Sequence, residues 1–253
     1  LTLFYNEDSG VHPDFVLSEN AVNSTRKAIA YPFNDLGPIA VDSRKCVYVV
    51  DALPDEQQIS NEDENLLFRQ VVLRFGSDGK ALDYIGQQGV GGTPFPFIKN
   101  IYTTKNDELV VICVTNAGLR AYWFNDDGSL LYVVPIKSTE LPNPFTEKTD
   151  ADFYMNCDGV VPSYKGHVLY VKIDYFNTYV DQTSKVQSGI DYAHTLLYPL
   201  EVSSGTYGEP FKIPPYEEIV SEGFGKITYT MPYDFLGITD ICFRWFSLTG
   251  SVS

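Results

Sequence analysis

The sequence predicts an all-β protein, and more narrowly a β-propeller of four-stranded antiparallel blades. Short apolar runs, rich in β-branched and aromatic residues, alternate with period two, and no convincing amphipathic helix interrupts them. A pattern of strand, Phe, Asp-Gly turn and apolar strand occurs twice, and 49 residues separate its Phe75 from its Phe124. A single sheet cannot bury both faces, so repeated sheets stack around an axis. A plain β-sandwich or meander remains the alternative.

The first three blades follow from the order of apolar runs and polar turns. The first blade covers residues 33–86, and its strands are expected at 37–41, 46–51, 69–75 and 81–85. The second covers 97–135, with strands at 98–103, 109–114, 119–124 and 130–134. The third covers 151–213, with strands at 152–157, 168–173, 195–200 and 208–213 and a loop insertion at 174–193.

The ends of the chain predict two partial blades. Residues 1–10 resemble the last strand of a preceding blade, and residues 232–253 begin a further one, with strands at 233–239 and 242–247. Dividing 253 residues by the 49-residue repeat gives about five blades. We therefore expect a single, incomplete propeller domain over residues 1–253, with about three whole and two partial blades of a ring that is commonly six-bladed.

The tight turns repeat most clearly. Asp78-Gly79 and Asp127-Gly128 occupy the same place in their repeats. Asp-Gly is typical of a hairpin turn, because Gly adopts positive φ without steric penalty.

The first copy of the repeat, FGSDGKALDYIGQQGVGGTPF (75–95), combines F-x-x-D-G-x-x-L with I-G-x-x-G and Pro-Phe. It resembles NHL-type propeller repeats, and residues 1–132, with FYNED at 4–8, are similar to NHL-type propeller lipoproteins of spirochaetes. The resemblance covers about half the chain. It implies a propeller of the cell envelope or periplasm, with a lipid anchor upstream of Leu1, and it carries no catalytic residues.

Charge excludes some classes of partner. The chain has 33 Asp and Glu against 18 Lys and Arg, a formal net charge of −15. Nucleic acids and anionic membrane surfaces select basic patches, so neither is expected as a partner. The longest apolar run, LVVICV (109–114), is far shorter than the ~20 residues of a transmembrane helix.

Five long connections are predicted to emerge on one face of the ring, and that face is acidic and aromatic. They cover residues 52–67, 86–97, 135–152, 174–193 and 214–233. Loops on a rigid scaffold commonly carry binding residues. The candidate binding residues are Asp55, Glu56, Tyr175, Phe176, Tyr179 and Tyr192. We expect a non-catalytic binding or scaffold protein with a protein or glycan partner. A solvated acidic loop and a local aromatic core are the alternative interpretations.

A second hypothesis concerns the central channel. Oxygen ligands near the first strands, from Asp35, Asn100, Asp152 and Asp234, could hold Ca²⁺ or Mg²⁺. Such a metal would suit a hydrolase of the propeller lactonase type. The same residues cap turns in many proteins, so no cofactor is the first expectation. A truncated copy without independent function is the third alternative, because strands are missing at both ends.

Overall fold

A computed structural model of the chain describes residues 31–145, 153–163, 166–181, 183–184, 186–212, 218–221, 226–238 and 243–252. Regular structure in these residues is β-strand, apart from two single-turn 3-10 helices at Asp55–Gln57 and Ser138–Glu140. The predicted all-β class is confirmed. The propeller and the domain boundaries stay predictions.

The first sheet differs from its prediction in the strands that follow Phe75. Its region contains β1 (Leu36–Val41), β2 (Val47–Ala52), β3 (Ile59–Asn61), β4 (Leu66–Phe68), β5 (Gln70–Phe75), β6 (Ile85–Gly86) and β7 (Gly89–Val90). The sheet order is β1-β2-β5-β6-β7, and β3 pairs only with β4. The strand expected at 81–85 is wrong in extent, because Ala81 makes one bridge to Phe75 and Leu82 and Asp83 lie exposed.

The second sheet follows its prediction within a few residues. It consists of β8 (Phe97–Thr103), β9 (Leu109–Thr115), β10 (Gly118–Phe124) and β11 (Leu130–Lys137). Their order, β11-β10-β9-β8, is a meander. The two Asp-Gly turns are also confirmed: Gly79 and Gly128 have φ of 82° and 90°. Each turn is closed by a backbone hydrogen bond, from Gly76 N to Lys80 O and from Asn125 N to Ser129 O.

The third sheet corrects the predicted insertion. It contains β12 (Phe153–Pro162), β13 (Val168–Val180), β14 (Gln187–Glu201), β15 (Thr206–Tyr207) and β16 (Phe211–Lys212). β13 and β14 stay paired from Val168↔Glu201 to Val180↔Gln187, so the described residues of 174–193 form a hairpin rather than a loop. The period-two run IDYFNTYV continues β13, and pairing satisfies backbone groups that a loop would expose to water.

The last described strands are β17 (Glu218–Ser221), β18 (Lys226–Ile238) and β19 (Phe243–Val252), in the order β17-β18-β19. The long connection predicted at 214–233 is therefore wrong, because β17 and the first half of β18 fall within it. The predicted strands at 233–239 and 242–247 correspond to parts of β18 and β19. Residues 1–10, predicted to end a preceding blade, lie outside the described residues.

Neighbouring sheets share apolar cores. Val50, Val72 and Ile85 of the first sheet pack with Val111 and Tyr122 of the second. A larger core lies between the second and third sheets, and it includes Trp123, Ile136, Val171, Ile173 and Tyr198. The second sheet thus lies between the two cores and contributes one face to each.

Two contacts between polar turns join these sheets, and we call them the first and second junctions. In the first junction, the β1–β2 turn contacts the second sheet through Arg44 with Asp126 (3.2 Å) and Ser43 with Asp107 (2.7 Å). In the second junction, Glu108 at the end of the β8–β9 turn meets His167 of the β12–β13 turn at 3.0 Å. The turns between the first two strands of all three sheets therefore lie at the same end of the molecule.

The glycine-rich segment 86–92 has a packing role. A Cβ added at Gly89 would lie 2.9 Å from the carbonyl oxygen of Gly128, in the Asp-Gly turn of the next sheet. Gln87 donates from Nε2 to Pro94 O, and the following Phe95 is fully buried. The segment is therefore a close-packed connection between the first and second sheets.

Candidate binding face

The predicted acidic loop is a hairpin that is attached to the neighbouring sheet. Asn116 donates from Nδ2 to the carbonyl oxygens of Glu64 and Asn65 in the β3–β4 turn. Arg120 pairs with the Glu64 carboxylate at 3.0 Å, and this hydrogen bond raises the pKa of Arg120. The hairpin is therefore packed on the molecule rather than extended into solvent.

The two predicted acidic binding residues lie just before this hairpin. Asp55 and Glu56 form the 3-10 turn Asp55–Gln57, and both are exposed. Asp55 accepts a hydrogen bond from Gln58 Nε2 at 3.0 Å.

Tyr175 is a core residue, which corrects its prediction as a loop aromatic. It has no exposed surface, and it contacts the rings of Phe145 and Phe153. Its hydroxyl donates to Pro142 O at 2.6 Å, and burial raises its pKa. The alternative interpretation, a local aromatic core, describes Tyr175.

Phe176 lies on the opposite face of β13 and forms a surface ring pair. Its ring centroid is 5.8 Å from that of Tyr154 on β12, at an interplanar angle of 45°. Phe176 is half-buried and Tyr154 is 50% exposed. The backbone register sets Tyr192 of β14 opposite Phe176, but the side chain of Tyr192 is outside the described part of the structure. Tyr179, three residues along β13, belongs to the face that carries Tyr175, and it is also 50% exposed.

The face with the ring pair also carries a polar cluster. Lys172 and Asp174 precede Phe176 at two-residue spacing on β13, so the three side chains project from one face. Lys172 Nζ donates to Asp158 Oδ1 at 2.8 Å and to Asp174 Oδ2 at 2.9 Å. The register sets Asn156 beside Asp174 on one side and Thr195 on the other. We call this set the polar–aromatic face: Tyr154, Asn156, Asp158, Lys172, Asp174, Phe176 and Thr195.

The polar cluster is hydrogen-bonded and slightly acidic. The Lys172 side chain is only 4% exposed, whereas that of Asp158 is 43% exposed. Burial opposes protonation of Lys172, but the neighbouring Asp174 and Asp158 outweigh it and raise the pKa of the ammonium group above its usual value. One positive and two negative charges leave the cluster with an excess of negative charge. Its only strongly exposed member is the Asp158 carboxylate, at the rim.

Two of the four predicted metal ligands, Asp35 and Asn100, lie among the described residues, and each takes part in other hydrogen bonds. The Asp35 backbone N–H donates to Asp51 Oδ1, and Asn100 Nδ2 donates to Tyr102 Oη. Asp152 and the Asp234 side chain lie outside the described residues. Within the described part, no group of three His, Cys, Asp or Glu side chains is placed to hold a metal ion.

None of the three described cysteines is an activated nucleophile. Burial raises the pKa of Cys157 to about 12, and it raises the pKa values of Cys113 and Cys46 as well. A thiol with a raised pKa is a poor nucleophile, because the thiolate is the reactive form.

Sequence reasoning missed most of the polar–aromatic face. Of its seven residues, Phe176 alone was a candidate. The sequence does contain a pattern that groups them, because Lys172, Asp174 and Phe176 alternate at period two. The prediction ends the strand at residue 173 and assigns residues 174–193 to a loop, which separates Lys172 from the other two. Continuing the strand through residue 180 would have grouped them on one face.

Comparisons with known families and curated proteins found no match. No model of a known protein family matches the chain, and no curated protein matches it. Among the residues that the structure describes, no helix has the length and apolarity needed to cross a membrane.

Proposed function

We propose that this protein is a non-catalytic binding module whose polar–aromatic face contacts a protein or glycan partner. The observation that carries the proposal is the partly exposed ring pair of Tyr154 and Phe176, on the same face as the Asp158 carboxylate. Exposed aromatic rings supply contact area with little side-chain entropy to lose. Polar groups held by neighbours add orientation at low reorganisation cost.

We also propose that the sheets are blades of an NHL-like propeller of the cell envelope. The meander of the second sheet, the recurring Asp-Gly turns and the junctions at one end support this arrangement. The NHL resemblance supports the location. In such a ring, the extended β13–β14 hairpin would project from the end opposite the junctions, since β13 runs away from the β12–β13 turn.

The proposal is tested with three classes of probe on the whole chain: neutral oligosaccharides, polygalacturonate and a phage-displayed random peptide library. At least one class should bind, and the double variant Tyr154→Ala/Phe176→Ala should abolish that binding. Tyr179→Ala is the matched control, because Tyr179 is as exposed as Tyr154 but belongs to the other face.

Two results would contradict the proposal. One is that no class binds the wild-type chain. The other is that binding is unchanged in the double variant while its thermal unfolding matches that of the wild type.

A further inference from the structure

We infer that the ligand of the polar–aromatic face is a neutral oligosaccharide. This inference rests on the proposed function and names its ligand class. It depends on three features of the described residues: the ring pair, the polar side chains next to it and the sign of the surrounding charge.

The ring pair offers an apolar surface of a particular kind. Tyr154 and Phe176 are cross-strand neighbours on β12 and β13, so the backbone of two paired strands fixes their spacing. Aromatic faces carry partial negative charge, and the C–H groups of a sugar ring carry partial positive charge. A pyranose can therefore stack on one ring while its next residue reaches the other.

Hydrogen-bonding groups lie within reach of the sugar hydroxyls. Asn156 follows Tyr154 by two residues, about 7 Å along the same face, and Asp158 follows next on β12. Lys172 Nζ holds one oxygen of Asp158 at 2.8 Å, which orients the exposed carboxylate before any ligand arrives. Amide and carboxylate groups accept hydrogen bonds from hydroxyls, and a preset geometry reduces the entropy lost on binding.

The polar surroundings favour a sugar over an apolar peptide. Besides the rings, this face carries Asn156 next to Asp174, and Asp158 bound to Lys172. Protein hot spots are instead surrounded by contacts that exclude water. A sugar presents hydroxyls around its C–H face, so it can satisfy polar neighbours while it stacks on the rings.

Charge decides between neutral and anionic sugars. The chain has a net charge of −15, and two carboxylates outnumber the single ammonium group at the site. The carboxylates of this face would repel an anionic ligand at close range. Uronic acid and sulfated polymers are therefore excluded, and a neutral chain is expected.

The test is calorimetric titration of the whole chain with cellohexaose, maltohexaose, mannohexaose and chitohexaose, beside polygalacturonate. At least one neutral hexasaccharide should bind with Kd below about 1 mM. Tyr154→Ala and Phe176→Ala should each weaken it about tenfold, and Asn156→Ala severalfold. Tyr179→Ala should change the affinity less than twofold, and all variants should keep the wild-type melting temperature.

The outcomes separate the two proposals. If peptides bind and the double variant loses them while no neutral hexasaccharide binds, the ligand class is wrong and the binding function stands. If polygalacturonate binds more tightly than every neutral chain, the charge argument is wrong. If Tyr179→Ala weakens sugar binding as much as Tyr154→Ala, this face is not the site.

Discussion

The first and second junctions occupy the same place in the repeat and use different chemistry. The turns that carry them, residues 42–46 and 104–108, share the same backbone hydrogen bonds, from Asp42 N to Cys46 O and from Thr104 N to Glu108 O. Lys45 and Asp107 also share positive φ, at 67° and 61°. One backbone turn therefore supports two kinds of contact between sheets.

The junctions differ in the burial of the contact that joins the two sheets. In the first, Arg44 is 45% exposed and bridges the fully buried Asp42 carboxylate to the exposed Asp126. In the second, the nearly buried Glu108 accepts hydrogen bonds from Trp123 Nε1 (3.0 Å) and Thr104 Oγ1 (3.1 Å) and pairs with His167. Because water competes for exposed charges but not for buried ones, the second junction should contribute more to stability.

The largest expected effect comes from Glu108→Ala at the second junction. The substitution removes the acceptor of the buried Trp123 indole and the partner of His167. Leaving a buried donor unpaired costs roughly 1–3 kcal/mol, and with the lost hydrogen bond to His167 we expect about 3 kcal/mol. Urea unfolding measures the free energy of unfolding.

Two variants serve as controls for Glu108→Ala. Glu108→Gln keeps an acceptor for Trp123 and should lose less than half as much. Glu62→Ala removes an exposed glutamate and should change the free energy by less than about 0.5 kcal/mol. A loss at Glu108 no larger than at Glu62 would contradict the buried role.

A second prediction tests the close packing of the glycine-rich segment 86–92 on the Asp-Gly turn of the second sheet. Gly128 has φ of 90°, and a Cβ there would lie 2.7 Å from Val90 Cγ2. Gly79 occupies the equivalent turn with φ of 82°, and a Cβ there would meet no atom within 4 Å. Gly79→Ala should therefore cost about 1 kcal/mol through backbone strain alone, and Gly128→Ala about 1–3 kcal/mol more through overpacking.

The comparison of these two glycine variants uses thermal unfolding. Equal shifts in melting temperature would mean that the turn of the second sheet relaxes away from Val90 without penalty. The packing between the first and second sheets would then not depend on close contact between this turn and the Val90 side chain.

The third prediction concerns the exposed ion pairs of the first junction. Asp126→Ala should lower the free energy of unfolding by less than about 1 kcal/mol, since Arg44 and Asp126 are 45% and 47% exposed. The loss should shrink as ionic strength rises, because salt screens exposed charges. A loss larger than that of Glu108→Ala would reverse the ranking of the two junctions.

The smallest effect is a pH dependence at Asp107. Hydrogen bonds from Ser43, with a contribution from Arg44, hold the pKa of Asp107 below its usual value. A lowered native pKa contributes stability that is present above the unfolded pKa and is lost as pH falls through the native one. The stability difference between the wild type and Asp107→Asn should therefore be constant near pH 6 and fall below about pH 4.

Asp63→Asn is the control for this titration. Asp63 lies exposed in the β3–β4 turn, outside the junctions. Its substitution leaves both junctions intact and measures the effect of replacing an exposed carboxylate with an amide. A stability difference between the wild type and Asp107→Asn that grows as pH falls would contradict the predicted sign of the pH dependence.

Much of the local structure could be predicted from the sequence. The four strands of the second sheet and both Asp-Gly turns were expected, because period-two alternation and Gly at positive φ are local properties. The extent of β13 and β14 was not, since residues 174–193 mix polar and aromatic side chains that suit either a loop or a two-faced hairpin. Their pairing depends on backbone partners supplied by the rest of the sheet.

The candidate site was likewise predictable only in part from the sequence. The sequence alone determined that the chain is all-β, that it is strongly acidic, and that Phe176 and Tyr179 lie in an aromatic-rich segment. Only the tertiary structure decided that Tyr175 is buried, that Phe176 meets Tyr154, and that Lys172 orients Asp158. Periodicity states which residues share a face of a strand, but the packing of neighbouring sheets decides which face meets water.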